Sequence, residues 1–119
     1  MKNILVLEDD NDLRSLYHRA LKFKGYDVTA TESAERAIDL LQKGALVPDV
    51  AVLDMSMPGL PGSAVVEFIR NHSQHATLPI IVITCDERFK EHLKTAGVVF
   101  MTKPINLHDL YVAVARAVS

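Results

Sequence analysis

Four short, unbroken apolar runs recur along the chain, and they limit the folds open to it more than any other feature. They occupy residues 4–7, 50–53, 80–83 and 98–101. Runs of this length, without polar alternation, suit strands of a parallel sheet that is buried on both faces. A further candidate strand around residues 27–30 is more polar and reads as an edge.

The segments between the runs carry helical spacing. Leu13, Leu16, Tyr17, Ala20 and Leu21 fall on one helical face. Asp10 or Asn11 can cap that helix, and Gly25 can end it. Ala34, Ala37, Ile38 and Leu41 repeat the pattern before Gly44. A third helix is expected over residues 63–71, with Val65, Val66, Phe68 and Ile69 inward. A fourth is expected over about residues 87–95, ending at Gly97. The last starts after Asn106 and turns Leu107, Leu110, Val114 and Val118 toward the core.

Five strands and five helices in strict alternation predict a parallel sheet with helices on both faces. Right-handed crossovers leave few topologies. The expected fold class is α/β: a doubly wound, five-stranded parallel sheet in the flavodoxin-like order 2-1-3-4-5. The 119 residues suit one domain, residues 1–119.

Composition excludes several functions. Net charge is −2 and no Lys/Arg cluster is present, so direct nucleic-acid binding is not expected. The single cysteine, Cys85, cannot form an internal disulfide, which suits a reducing cytoplasm. The first residues are too acidic for a signal peptide, and no apolar run nears the roughly 18–20 residues that span a bilayer. A cytoplasmic protein without membrane contact is expected.

The chemistry gathers at the strand ends. The first run is followed by Glu8 and Asp9, the third strand by Asp54, the fourth by Thr84 and the fifth by Lys103. Ligands of open parallel sheets bind outside the carboxyl ends of the strands. Carboxylates crowded there repel one another, and a divalent cation relieves the conflict. Mg²⁺ favours one or two carboxylates together with water and phosphate oxygens. Zinc would call for Cys or His ligands, and only Cys85 lies at these ends. Taken singly, each residue has another reading: an acidic helix cap at 8–10, a turn aspartate before Pro58-Gly59, a surface lysine before Pro104.

Together, ILVLEDD, VAVLDMSMPGLPG, IIVITCD and VVFMTKP resemble, in order and over essentially the whole chain, the motifs of a response-regulator receiver domain. The resemblance implies that Asp54 accepts a phosphoryl group from a histidine kinase or histidine phosphotransfer protein. It implies Mg²⁺ held by Asp9 and Asp54, by Glu8 mostly through water, and by the backbone carbonyl of Ser56. Lys103 would contact one phosphoryl oxygen and Thr84 another. Phe100 stands at the switch-aromatic position, where it either follows Thr84 as a switch or serves as a core phenylalanine. The Lys103-Pro104 bond is expected to be cis. Output would run through a downstream protein partner. Receivers often pair through the surface of the fifth strand and last two helices, which leaves a homodimer open.

Departures and lesser signals remain. The stretch from Thr84 to Lys103 is a few residues short for the family, so the fourth helix or its leading loop is trimmed, with mobility expected near Asp86 to Phe89. Cys85 reads as a small, inert, buried thiol. Ser56 and Asp86 stand where phosphoryl lifetime is tuned. His72 and His75 have metal-like i, i+3 spacing but read as solvated residues at a helix end. Three other functions compete. A haloacid-dehalogenase-type hydrolase needs a second aspartate where Ser56 stands. A flavin protein needs a phosphate loop where Glu8-Asp9 would repel one. A protein-interaction module that works without phosphorylation is the remaining alternative.

Overall fold

A computed structural model of the chain describes residues 1–55, 59–72, 74–85 and 97–119. Strands β1 (Asn3–Leu7), β2 (Asp27–Thr31), β3 (Val50–Asp54), β4 (Ile80–Thr84) and β5 (Val99–Thr102) alternate with helices. The helices among the described residues are α1 (Asn11–Phe23), α2 (Ala34–Gln42), α3 (Gly62–Asn71) and, at the C-terminus, α4 (Leu107–Val118). The strands form one parallel sheet in the order β2-β1-β3-β4-β5. That is the expected order. The helix expected over 87–95 lies outside the described residues.

The apolar runs serve both faces because successive side chains of a strand point to opposite sides. Leu5, Leu7, Ala51, Leu53, Ile80 and Val82 pack with Ala37 and Leu41 of α2 and Val65 and Ile69 of α3. Ile4, Val6, Val50, Val52, Ile81 and Ile83 pack on the other face, against Tyr17 and Leu21 of α1 and Leu110 and Val114 of α4. Burying a large aliphatic side chain contributes about 1.5–3 kcal/mol. The two layers therefore fix the strands, and with them the ends that carry the polar residues.

Side-chain caps set where α1, α2 and α4 start. The Asp10 carboxylate accepts from the amides of Asp12 and Leu13 at 2.9 and 3.0 Å. Ser33 and Asn106 cap α2 and α4 in the same way. At the far end of α1, Gly25 takes φ of 93°, which a residue with a side chain would resist.

Several expectations need correction. The apolar run of β5, read as buried on both faces, is partly exposed because the expected order puts it at the edge: Val99 is 52% exposed, and among the described residues no strand pairs beyond it. Leu16 is exposed, since the face of α1 centred on Tyr17 and Leu21 meets the sheet and Leu16 lies at its margin. His75 is buried, with its ring stacked on His72 at 5.3 Å and Nε2 3.4 Å from the carbonyl of Leu41. The chain after α3 folds back onto the end of α2, and this takes His75 out of solvent. Cys85 is exposed, because it lies just past β4 where the sheet's cover ends.

Candidate functional site

Parallel strands of similar length end on one edge of the sheet. There β1 delivers Glu8 and Asp9, β3 delivers Asp54, β4 delivers Thr84 and β5 delivers Lys103. In register, Leu7 lies beside Leu53, Asp54 beside Ile83, and Thr84 beside Thr102. The amide of Lys103 donates to the Thr84 carbonyl at 2.9 Å, extending the β4–β5 ladder by one residue. The amide of Met55 donates to the Ile83 carbonyl at 3.2 Å and does the same for β3. The amide of Glu8 is held by the Thr31 carbonyl at 3.0 Å.

Glu8 and Asp54 are 1% and 2% exposed, a depth that carboxylates reach only when paired. Lys103 supplies the pairing. Its Nζ donates to Glu8 Oε1 at 3.1 Å and to Asp54 Oδ2 at 3.3 Å. One ammonium serves two carboxylates, so an acidic excess remains. Burial, and then a hydrogen bond shared with Asp54, pushes the Glu8 carboxyl up to about 7. The amide of Asp10, which donates to Glu8 Oε2 at 3.2 Å, pulls the other way. Burial alone would lower the Lys103 ammonium. The hydrogen bond to Glu8 and the charge of Asp54 outweigh it and raise the ammonium above its ordinary value. Tyr17, buried beneath the site, is raised by burial and by the charge of Glu8.

Asp9 is exposed at the rim, and oxygen atoms of Glu8, Asp9 and Asp54 all lie within 4.8 Å of one another. The donor set is hard and all-oxygen, with no thiolate or imidazole in it. It fits a small hard cation such as Mg²⁺ and does not fit zinc. Ser56, whose carbonyl was expected to complete the set, lies outside the described residues, as does Asp86.

Thr84 is buried at the end of β4. Phe100 pairs in register with Val82, so by alternation Thr84 and Phe100 stand on the same face of the sheet. Phe100 is partly buried, packed on the layer of α2 and α3. The Lys103-Pro104 bond is cis, as expected.

Two residues that pack behind the site without belonging to its reacting set went unnoticed in the sequence. Gly62 opens α3 directly against the Asp54 backbone: a Cβ there would overlap the Asp54 carbonyl and crowd Met55. Its signal was the last glycine of the DMSMPGLPG stretch. Arg14 reaches back from α1 to the end of β1, and nothing in the sequence alone distinguishes it from a solvated helix arginine.

The model of the response regulator receiver domain matches residues 4–115. The response regulator MprA of Mycolicibacterium vanbaalenii is 34% identical over 110 residues, covering 90% of this chain and 46% of that protein. The transcriptional regulatory protein KdpE of Staphylococcus aureus matches with the same identity and the same coverage of both. The chain thus spans about half the length of these curated relatives. Among solved structures, the chemotaxis protein CheY4 of Vibrio cholerae superposes with a TM-score of 0.88, is 27% identical, and is covered over 98% of both chains.

Proposed function

The chain belongs to the response regulator receiver domain family, and from that premise we propose that it accepts a phosphoryl group on Asp54. The observation that carries the proposal is the buried pair Glu8 and Asp54 held by Lys103 beside the exposed carboxylate of Asp9. Keeping two carboxyl groups and one ammonium together out of water costs stability, and such a cost is characteristic of functional sites.

The donor is a phosphohistidine of a histidine kinase or phosphotransfer protein. A carboxylate oxygen of Asp54 forms a bond to phosphorus while the bond from phosphorus to the donor imidazole breaks. The imidazole nitrogen keeps the electron pair and takes a proton from water. An aspartyl phosphate results. Lys103 then holds one phosphoryl oxygen as a point charge, and the Thr84 hydroxyl donates to another. Asp9 and Asp54 would hold Mg²⁺ directly and Glu8 through water, with the Ser56 carbonyl as a further ligand. The cation supplies neutralisation of charge on the phosphoryl oxygens. Positioning does most of the work, because little covalent chemistry is asked of the surroundings.

The phosphoryl group brings up to about two negative charges and strong acceptor oxygens. Thr84 moves toward them, and Phe100, on the same face, turns into the space it leaves. The altered surface engages a downstream protein. The chain acts as a phosphoacceptor that promotes its own phosphorylation and dephosphorylation, and it turns over no separate substrate.

The test is the position of the adduct. After phosphorylation, borohydride reduction converts an acyl phosphate to an alcohol, and peptide mass mapping locates it. The converted residue should be Asp54. Conversion at Asp9 or Glu8 would overturn the assignment.

A further inference from the structure

We infer that Arg14 is a positioning residue that sets the direction of the Glu8 and Asp9 carboxylates by holding their backbone. The inference rests on the phosphoacceptor reading of the site above.

The segment between β1 and α1 has no ladder of its own. The amide of Glu8 is tied to β2 and that of Asp10 to the Glu8 side chain. The carbonyls of Glu8 and Asp9 face the other way, toward the first turns of α1. Arg14 lies there because its amide donates to the Asp10 carbonyl at 2.9 Å, the first turn that the Asp10 cap sets up. Its side chain folds back along the helix. Nη1 donates to the Glu8 carbonyl at 3.1 Å and, more weakly, to the Asp9 carbonyl at 3.4 Å. Nη2 donates to Asn11 Oδ1 at 2.6 Å.

The arrangement uses the planar fork of a guanidinium. One end grips two successive peptide planes and the other is anchored to the helix start. Fixing the peptide planes fixes the Cα–Cβ directions of Glu8 and Asp9, and these direct the carboxylates at Asp54. A lysine carries the same charge but is a single point on a flexible stem and cannot span the same partners. Outer contacts of this kind, which orient ligands without touching the ion, are typically worth 10–100-fold in metal affinity.

The experiment is a Mg²⁺ titration by calorimetry of the wild-type chain, Arg14→Met and Arg14→Lys. Urea unfolding without metal and acetyl phosphate uptake at saturating Mg²⁺ accompany it. Both variants should bind Mg²⁺ about tenfold more weakly or worse. Their urea midpoints should stay near wild type, and so should the uptake rate once Mg²⁺ saturates. Unchanged affinity in both variants overturns the inference while leaving the phosphoacceptor reading intact. Wild-type affinity in Arg14→Lys alone would mean that charge matters and the fork does not, which also overturns it. A loss of affinity matched by a general loss of stability does the same. A wild-type chain that neither binds Mg²⁺ nor takes up phosphoryl would remove the parent reading, and this inference with it.

Discussion

Depth governs protonation at the site: Glu8 is 1% exposed and shares the Lys103 ammonium with Asp54. Glu8, raised to about 7 mainly by burial, holds a proton in the folded, metal-free protein that the unfolded chain releases near 4.5. The folded state thus binds the extra proton between those values. The stability this gives is complete below about pH 4.5 and is lost as pH rises through about 7. Glu8→Gln removes the dependence. In metal-free buffer its urea stability should gain on wild type by about 1–3 kcal/mol between about pH 5 and about pH 8. Parallel profiles would contradict this account of Glu8. Gly62 makes a steric claim. Its missing Cβ leaves room for the Asp54 backbone, so Gly62→Ala should cost about 1–3 kcal/mol in urea unfolding and slow phosphoryl uptake. A neutral substitution would show that α3 can shift freely. Asp54, Glu8 and Lys103 were legible in the sequence because each follows an apolar run whose strand ends at the same edge. Their protonation was not, since it depends on how deep the fold places them. The histidines show where reading by residue type fails. His72 and His75 look like solvated residues, and only the path of the chain after α3 buries His75 against the Leu41 carbonyl.

At the scale of elements, apolar runs foretold four of the strands and a more polar segment foretold β2, while caps such as Asp10 foretold where helices begin. Exposure within an element was less legible. The runs of β4 and β5 look alike in sequence, yet β4 is buried throughout and β5 forms the edge. The apolar run itself does not separate the two; the strand order does, and that order came from the alternation of elements along the whole chain. The consequence is measurable. Ile81→Ala, in the layer of α1 and α4, should cost about 2–5 kcal/mol. Val99→Thr, at the exposed edge, should stay within about 0.5 kcal/mol of wild type. Equal losses in the two would place β5 in the interior.

For the molecule as a whole, alternation of strands and helices pointed to the doubly wound sheet, and parallel pairing of all five strands brings every strand's C-terminus to one edge. The site follows from that topology: residues up to 95 positions apart, Glu8 and Lys103, meet at 3.1 Å. Among the described residues no helix is long and apolar enough to cross a membrane. What the sheet assembles is a cation-ready acidic pocket around one buried aspartate, and the central claim is that this aspartate takes a phosphoryl group with Mg²⁺. Intact mass after incubation with acetyl phosphate tests it most directly, run on wild type with Mg²⁺, wild type with chelator, and Asp54→Asn with Mg²⁺. A single phosphoryl adduct confined to the first sample is predicted. An adduct that persists in Asp54→Asn, or none in wild type with Mg²⁺, would contradict the account.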